Sequence, residues 1–319
     1  KNMNIQTILL FVSFIATVIV GMIVVPILKK KHLGSDVRKD GPQSHLKKSG
    51  TPIMGGIIMI LVVTCILAFY LKDYPVLVLP MMAILGFGFI GFIDDFKKLV
   101  LKDPEGISPK IKMLGLILIT AIILGLYLFV FDLGTTIIIP FVDQPISLGI
   151  PLFIIFAAFI LLGTTNAVNL TDGLDGLATG VVAIIMTFFT LVALKQQNTE
   201  MVIFASSMVG SCIGFLLFNI HPAKVFMGDT GSLALGGAVA IISLILKMPL
   251  YLAIVALVCI IDTVSVILQV LYFKATKGKR LFKMAPFHHH LELSGYKETT
   301  VVMIFWIITV ICCVIAYFI

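Results

Sequence analysis

Ten stretches of about twenty mostly apolar residues follow one another along this chain, at roughly 5–28, 53–71, 75–93, 113–131, 150–168, 173–194, 200–218, 232–247, 249–273 and 299–319. Nothing constrains the fold more. A run of that length matches the roughly 30 Å hydrocarbon core of a bilayer when it is helical. In lipid every backbone polar group must be satisfied within the protein, which leaves the helix as the natural spanning element. The sequence therefore predicts an all-α polytopic membrane protein with about ten transmembrane helices. Charged residues make up only 12% of the chain, about half the share in soluble domains, so a soluble globular, disordered or secreted disulfide-stapled protein is excluded. Cys65, Cys212, Cys259, Cys312 and Cys313 all fall inside apolar runs without a CxxC, which argues for free buried thiols rather than a zinc site.

The distribution of Lys and Arg gives an orientation. With the loop after the first span inside, the cytoplasmic loops are 29–52, 94–112, 169–172, 219–231 and 274–298, and they hold nineteen of the 23 basic residues. Lys1, Lys72, Lys195 and Lys247 fall outside. This bias places both termini outside, with the first span as an uncleaved anchor. It also accounts for the net charge of +7 without nucleic acid. One outer loop is longer than a connector needs. Around 135–148, Thr135–Ile139 and Ile146–Leu148 flank Pro140 and Asp143-Gln144-Pro145, which predicts a small extracellular β-hairpin.

All six histidines and eleven of the sixteen carboxylates fall on the cytoplasmic side. Asp94-Asp95 is a like-charged pair at a helix C-terminus, where the macrodipole prefers cations; Lys97 and Lys98 compensate in part. Adjacent helical side chains diverge by about 100°, so one metal would not easily take both carboxylates. Between spans five and six lies Thr164-Thr165-Asn166-Ala167-Val168-Asn169-Leu170-Thr171-Asp172-Gly173-Leu174-Asp175-Gly176. Asn166 and Asn169 share a face there, Thr171 or Asp172 is placed to cap the next helix, and its free N–H groups suit a phosphate. Asn219 and Phe226-Met227-Gly228-Asp229-Thr230-Gly231-Ser232 precede span eight. Asp229 stands there in a glycine-flanked loop, and a single accessible carboxylate of this kind suits Mg²⁺, which completes its shell with water and substrate phosphates.

The last loop carries Pro286-Phe287-His288-His289-His290-Leu291-Glu292 among Lys274, Lys277, Lys279, Arg280 and Lys283. Three consecutive histidines converge poorly on one ion but can bond phosphate or sugar oxygens. Asp262 reads as a mid-span carboxylate sharing a face with Ser265 and Gln269. Exposure to lipid there would cost at least about 2.5–3.5 kcal/mol, so it must face protein or a wet groove, in a structural or a functional role.

Together, Asp, Asn, His and Lys on one rim of a membrane bundle suggest Mg²⁺-assisted chemistry on a phosphate-bearing substrate, with the spans admitting a lipid-borne partner. The motifs also resemble a known family, the polyprenyl-phosphate N-acetylhexosamine-1-phosphate transferases. Asp94-Asp95, Asn166–Asp175, Asn219 with Phe226–Ser232, and Met284–Glu292 carry the resemblance, joined by Lys48-Ser49-Gly50-Thr51-Pro52-Ile53-Met54-Gly55-Gly56 and Ser108-Pro109-Lys110-Ile111-Lys112. The order of motifs covers nearly the whole chain, as a single membrane transferase domain over 1–319. Ile53 stands where Thr is usual, and Tyr296 where Trp commonly follows the late glycine; neither change removes an ionisable group.

Within that family the unbroken His288-His289-His290 is similar to the branch that moves phospho-MurNAc-pentapeptide from UDP-MurNAc-pentapeptide to undecaprenyl phosphate, giving lipid I and UMP at the bacterial plasma membrane. The resemblance implies Mg²⁺ on Asp229, with Asp94 and Asp95 by the lipid phosphate. It implies Lys110 offsetting phosphate charge and Phe226 near uracil. Asn169, Asp172 and Asp175 would line the nucleoside pocket, and His288, His289 and His290 would meet diphosphate or sugar. Lys48, Asn166 and Asn219 complete the expected substrate contacts, and the family's habit implies a homodimer. Direct in-line attack and an aspartyl-phosphate intermediate both remain open, the direct route being preferred. Two other functions compete. One is a sister transferase using UDP-GlcNAc; the other is an ion-coupled transporter built around Asp262.

Overall fold

The computed structural model describes residues 4–30, 48, 50–103, 106–142 and 144–319. Most of the predicted loop 29–52, Ser49 of the 48–56 motif, Glu105 and Asp143 lie outside those residues. The described chain is mostly helical, with one two-stranded sheet. The elements are α1 (Ile5–Lys30), α2 (Gly56–Tyr70), α3 (Val78–Leu99), α4 (Pro109–Gly125), α5 (Ile150–Thr171), α6 (Leu177–Lys195), α7 (Thr199–Asn219), α8 (Gly228–Ile245), α9 (Leu252–Val255), α10 (Leu257–Ala275), α11 (Phe287–Leu293) and α12 (Glu298–Phe318). Among the described residues nine helical stretches are long and apolar enough to cross a membrane, and α2, of 15 residues, is a shorter apolar helix. The expected count of about ten therefore holds. The hairpin is present too: β1 (Thr136–Ile137) pairs antiparallel with β2 (Ile146–Ser147), and the Ile138 N–H donates to the Lys247 carbonyl at 2.6 Å, tying the hairpin to the end of α8.

Several boundaries differ from the sequence-based ones, each for a local reason. The third span continues through Leu99, so Asp94 and Asp95 sit within the helix rather than at its last residue. Helix α4 begins four residues before the predicted 113, because Ser108 accepts the Ile111 N–H and Pro109 occupies the first turn, a position that suits proline. Helix α8 begins at Gly228, which puts Asp229 in a first helical turn rather than in a loop. The ninth span is broken: a 3₁₀ turn at Pro249–Tyr251 and α9 precede Ala256, where the chain leaves helical geometry before α10.

Helices α7 and α8 form the buried centre, whereas α1, α5 and α10 expose most of their apolar surface. Lipid supplies no hydrophobic drive between helices, so close association relies on small residues. A Cβ on Gly91 would run into the Asp229 carbonyl, and one on Gly56 into the Gly231 backbone. Helices α3 and α2 thus press directly on the first turn of α8. Hydroxyls inside the bundle fold back on their own helices, as Thr187 does to the Ala183 carbonyl, Ser207 to Ile203 and Thr309 to Phe305. That disposition hides a polar group where no water is at hand.

Candidate active site

The close approach at Gly91 places the polar end of α3 beside the start of α8. Asp95 is 4% exposed. Its carboxylate accepts the N–H of Asp229 (3.2 Å), the N–H of Thr230 (2.9 Å) and the Thr230 hydroxyl (2.6 Å). These donors belong to the unsatisfied first turn of α8, and a negative charge is favoured there. Asp95 is therefore an N-terminal cap supplied by another helix. The like-charged pair, unfavourable at the C-terminal end of α3, thus has a structural use at the start of α8.

Asp94 points elsewhere, as the 100° divergence requires. It accepts the Ile107 N–H at 2.8 Å and pairs with Lys98 at 2.5 Å. Asp229 receives the Asn169 amide at 3.1 Å on one oxygen and Lys112 at 2.6 Å on the other. Asn169 also donates to the Ser232 hydroxyl at 2.8 Å. Lys98 and Lys112 each reach both carboxylates, Lys98 lying 3.6 Å from Asp229 and Lys112 3.8 Å from Asp94. Asp94 and Asp229, with the Asn169 amide and the Ser232 hydroxyl beside them, make an all-oxygen acceptor set bridged by two ammonium groups. That chemistry fits a hard divalent cation, with Asp229 and Asp94 as the oxygens that share its lysine neighbours.

Asp172, the residue after α5, has its carboxyl pushed above the ordinary range, first by burial and then by the negative charges of Asp229, Asp95 and Asp175. Neither it nor Thr171 caps α6: the Thr171 hydroxyl donates to the Ala167 carbonyl at 2.9 Å. Helix α6 instead starts after Gly176, whose φ of +77° is readily adopted by glycine. Both readings of Thr171 and Asp172 as caps are thus corrected.

A second cluster surrounds Asp175. Its carboxylate pairs with Lys48 at 2.7 Å and accepts the Ala223 N–H at 3.0 Å, with the His221 ring 3.1 Å away. Glu298, at the start of α12, holds the same Lys48 at 2.6 Å and accepts the Asp175 N–H at 2.9 Å. One ligand atom each from Asp175, His221 and Glu298 lies within 4.8 Å of the others, an arrangement able to hold a metal. Lys48 bridges its two carboxylates as Lys98 and Lys112 bridge those of the first cluster.

The remaining predicted residues divide. Asn219 is buried, donating to the Val225 carbonyl and accepting the Thr179 hydroxyl. The Asn166 amide folds back to the Leu162 carbonyl. Phe226 is half-buried, its backbone joined to Pro52 and Gly55, so the 48–56 segment is stitched onto the start of α8. Lys110 is exposed and Lys112 takes the place at Asp229.

The three histidines start a short helix and diverge. His288 is fully buried, with Nδ1 2.8 Å from Asp262. His289 lies 2.9 Å from Glu292, and His290 packs on Phe282 and Phe287 while accepting the Lys283 N–H. Asp262 is 0% exposed. A Cβ on Gly173 would collide with the far edge of the His288 ring, so His288 links Asp262, within the α10 span, to the α5–α6 loop.

Lys98 meets Asp94 as the compensating charge expected of it; Lys112 and Thr230 stood only inside quoted motifs, and His221 and Glu298 were not singled out from sequence. No local pattern marks Glu298.

Comparison with known proteins gives concordant findings. The glycosyl transferase family 4 profile matches residues 76–247. A phospho-N-acetylmuramoyl-pentapeptide-transferase of Acetivibrio thermocellus is 49% identical over 321 residues, covering 99% of this chain and 96% of that protein. Proteins of the same name from Clostridium perfringens (strain 13) and Caldicellulosiruptor bescii are 47% and 46% identical, covering 96% and 98% of this chain and 96% and 97% of theirs.

Proposed function

The chain belongs to the phospho-N-acetylmuramoyl-pentapeptide-transferase family, and on that premise we propose that it transfers phospho-MurNAc-pentapeptide from UDP-MurNAc-pentapeptide to undecaprenyl phosphate, releasing UMP and forming lipid I for peptidoglycan. The carrying observation is the convergence of Asp94, Asp229, Asn169, Lys98 and Lys112 on one patch at the rim of the bundle. The rim is cytoplasmic by the distribution of basic residues. One 1–319 unit holds all the motifs, and family resemblance supports a homodimer.

Mg²⁺ bound at Asp229 would neutralise diphosphate charge and stabilise the charge that develops on the leaving UMP. Lys98 and Lys112, already gathered at these carboxylates, turn toward phosphate oxygens and hold them in line. Asn169 fixes the orientation of the Asp229 carboxylate. Asp94 flanks the incoming lipid phosphate. That phosphate is anionic near neutral pH, so it needs positioning more than deprotonation, which favours direct displacement over an aspartyl intermediate. Asp95 keeps the start of α8 in register through its cap. Asp175, with Lys48, His221 and Glu298, receives the nucleoside end together with Phe226, and Asp172 lies between the two clusters.

The test is UMP release by detergent-solubilised protein with Mg²⁺ and undecaprenyl phosphate, UDP-MurNAc-pentapeptide and UDP-GlcNAc being offered separately. Turnover of the pentapeptide nucleotide alone supports the proposal. Turnover of UDP-GlcNAc alone moves the protein to a sister pathway, and release from neither overturns the transferase assignment. A labelled phospho-sugar on the protein without lipid acceptor would replace direct displacement by the two-step route.

A further inference from the structure

Five cations follow the end of α10, and the chain supplies nothing to neutralise them. From Thr263 to Leu291 there is no carboxylate, and Lys274, Lys277, Lys279, Arg280 and Lys283 fall within that stretch. All five are exposed. Elsewhere on the rim Lys97, Lys98 and Lys112 each meet a carboxylate. Among the described residues the five make no ion pair. Arg280 donates to the Lys283 carbonyl at 3.3 Å, and the Lys283 ammonium to the Leu293 carbonyl at 3.0 Å. A neutral carbonyl orients such a group without cancelling its charge.

The fold does not let these charges trail into water. Helix α10 ends at Ala275. The Gly278 N–H closes back on the Phe273 carbonyl at 2.9 Å, and Lys277 and Gly278 take φ of +54° and +114°, which turns the chain. Leu281 and Phe282 then give their N–H groups to the Gln269 side chain at 3.1 and 2.8 Å. The same side chain donates to the Phe282 carbonyl at 3.4 Å. Gln269 stands six residues before the end of α10, which is about 9 Å back along the helix. The returning segment is therefore pinned beside the last turns of a membrane span.

Those turns are apolar on the outside. Leu271 and Phe273 are 59% and 46% exposed, and Leu281 on the return is 47% exposed. Such side chains belong in hydrocarbon, so the cations beside them sit at the depth of lipid phosphates, their methylene stems against the apolar surface. Orientation in the membrane asks for less than this. It depends on how many Lys and Arg lie on one side of a span, and pinning them back at Gln269 adds nothing to that count. Basic clusters just inside a span attract anionic lipid, each cation contributing about fivefold near such a surface.

We propose that the segment 274–283 is a docking surface for anionic phospholipids of the inner leaflet, its cations on the headgroup phosphates and the acyl chains lying along Leu271, Phe273 and Leu281. The proposal goes beyond the transferase reading and does not rest on it. Charge complementarity selects the occupant: a zwitterionic headgroup leaves the five positive charges uncompensated, whereas an anionic one cancels them while its chains cover the apolar side chains.

The experiment places the full chain in phosphatidylcholine nanodiscs holding a trace of photoactivatable lipid, either phosphatidylglycerol or phosphatidylcholine, with the diazirine on the same acyl carbon. Adducts are mapped by mass spectrometry. Phosphatidylglycerol should label residues 270–283 at least about fivefold more than phosphatidylcholine, and the excess should shrink at high salt. The triple variant Lys277→Gln, Lys279→Gln, Arg280→Gln should bring that labelling down to the phosphatidylcholine level, with labelling at the outer ends of the spans unchanged. Equal labelling of the wild type by the two lipids overturns the proposal without any variant, so a triple variant that fails to fold does not rescue it. Wild-type labelling in a folded triple variant overturns it too. Loss of the excess on adding inorganic phosphate at constant ionic strength would assign the surface to free phosphate and overturn the lipid as its occupant.

Discussion

Two clusters on the same rim use the same chemistry, lysines shared between carboxylates, and are built in different ways. Around Asp229 the groups stand on helices pressed together through Gly91 and Gly56, and three of the bonds run from backbone N–H groups to Asp95 and Asp94. Around Asp175 the partners arrive from far apart in the chain: Lys48, Ala223 and His221 after α7, and Glu298 opening α12. The first cluster is fixed by main-chain geometry before any ligand arrives. The second is a set of side-chain ion pairs closing a ring from the early chain to the last helix. A site that handles charge at a reacting phosphate needs fixed groups, because the gain comes from dipoles that need not reorganise. A site that grips the spectator end of a substrate can exchange one ion pair for another.

The sharpest way to break this contrast is at Asp229. Asp229→Ala should lower UMP release by about 10³-fold or more, with the folded protein recovered in normal yield. Next, Asp95→Ala should damage both fold and turnover. It strips three donors of a buried acceptor, at about 1–3 kcal/mol for each buried group left unsatisfied, and should lower the unfolding midpoint by several degrees. An Asp95→Ala protein of normal stability would mean that the cap is dispensable. Lys112→Ala should then cost about 10²-fold, while Lys110→Ala, on the opposite side of α4, costs far less; equal losses would place the phosphate outside this cluster. In the second cluster, Glu298→Gln should raise KM for the nucleotide-sugar by about tenfold while kcat moves less than about threefold, as expected for binding that is uniform between ground and transition states. A fall in kcat alone would erase the distinction between the clusters.

The smallest effect concerns Asp172. Its folded carboxyl titrates above the unfolded one, so the charged form is disfavoured by folding. The penalty is present at neutral pH and disappears once pH falls below the unfolded value, near 3.9. Asp172→Asn should therefore raise the unfolding midpoint at pH 7 and leave it unchanged near pH 3.5, measured without nucleotide or Mg²⁺.

Much of this molecule was legible before its structure, and the parts that were not share a cause. Spans were visible because a helix in lipid must be apolar over its whole length, and α3, α5 and α8 lie close to where hydropathy put them. The sequence also named Asp94, Asn169 and Asp229, which do meet. What it missed depends on the angle round a helix. Lys110 and Lys112 are two residues and about 200° apart, and which of them faces Asp229 is set by how α4 packs against α3 and α5. The three histidines look like one group on paper, yet a helix sends them in three directions. The cap that Asp95 makes could not be seen because its partners, Asp229 and Thr230, lie more than 130 positions away. The bonds of Asn219 to Thr179 and Val225 were hidden in the same way.

The glycines at 56 and 91 carry no chemistry, yet a methyl group at either would separate α8 from its neighbours. The platform beneath the carboxylates is therefore closed to gradual redesign. Side chains that face a bound inhibitor can be exchanged one at a time, and drug resistance can arise by that path. The spacing of the backbones that present Asp94 and Asp229 offers no such intermediate steps, so a compound that reads this spacing, rather than the identity of the surrounding side chains, leaves the target few routes of escape.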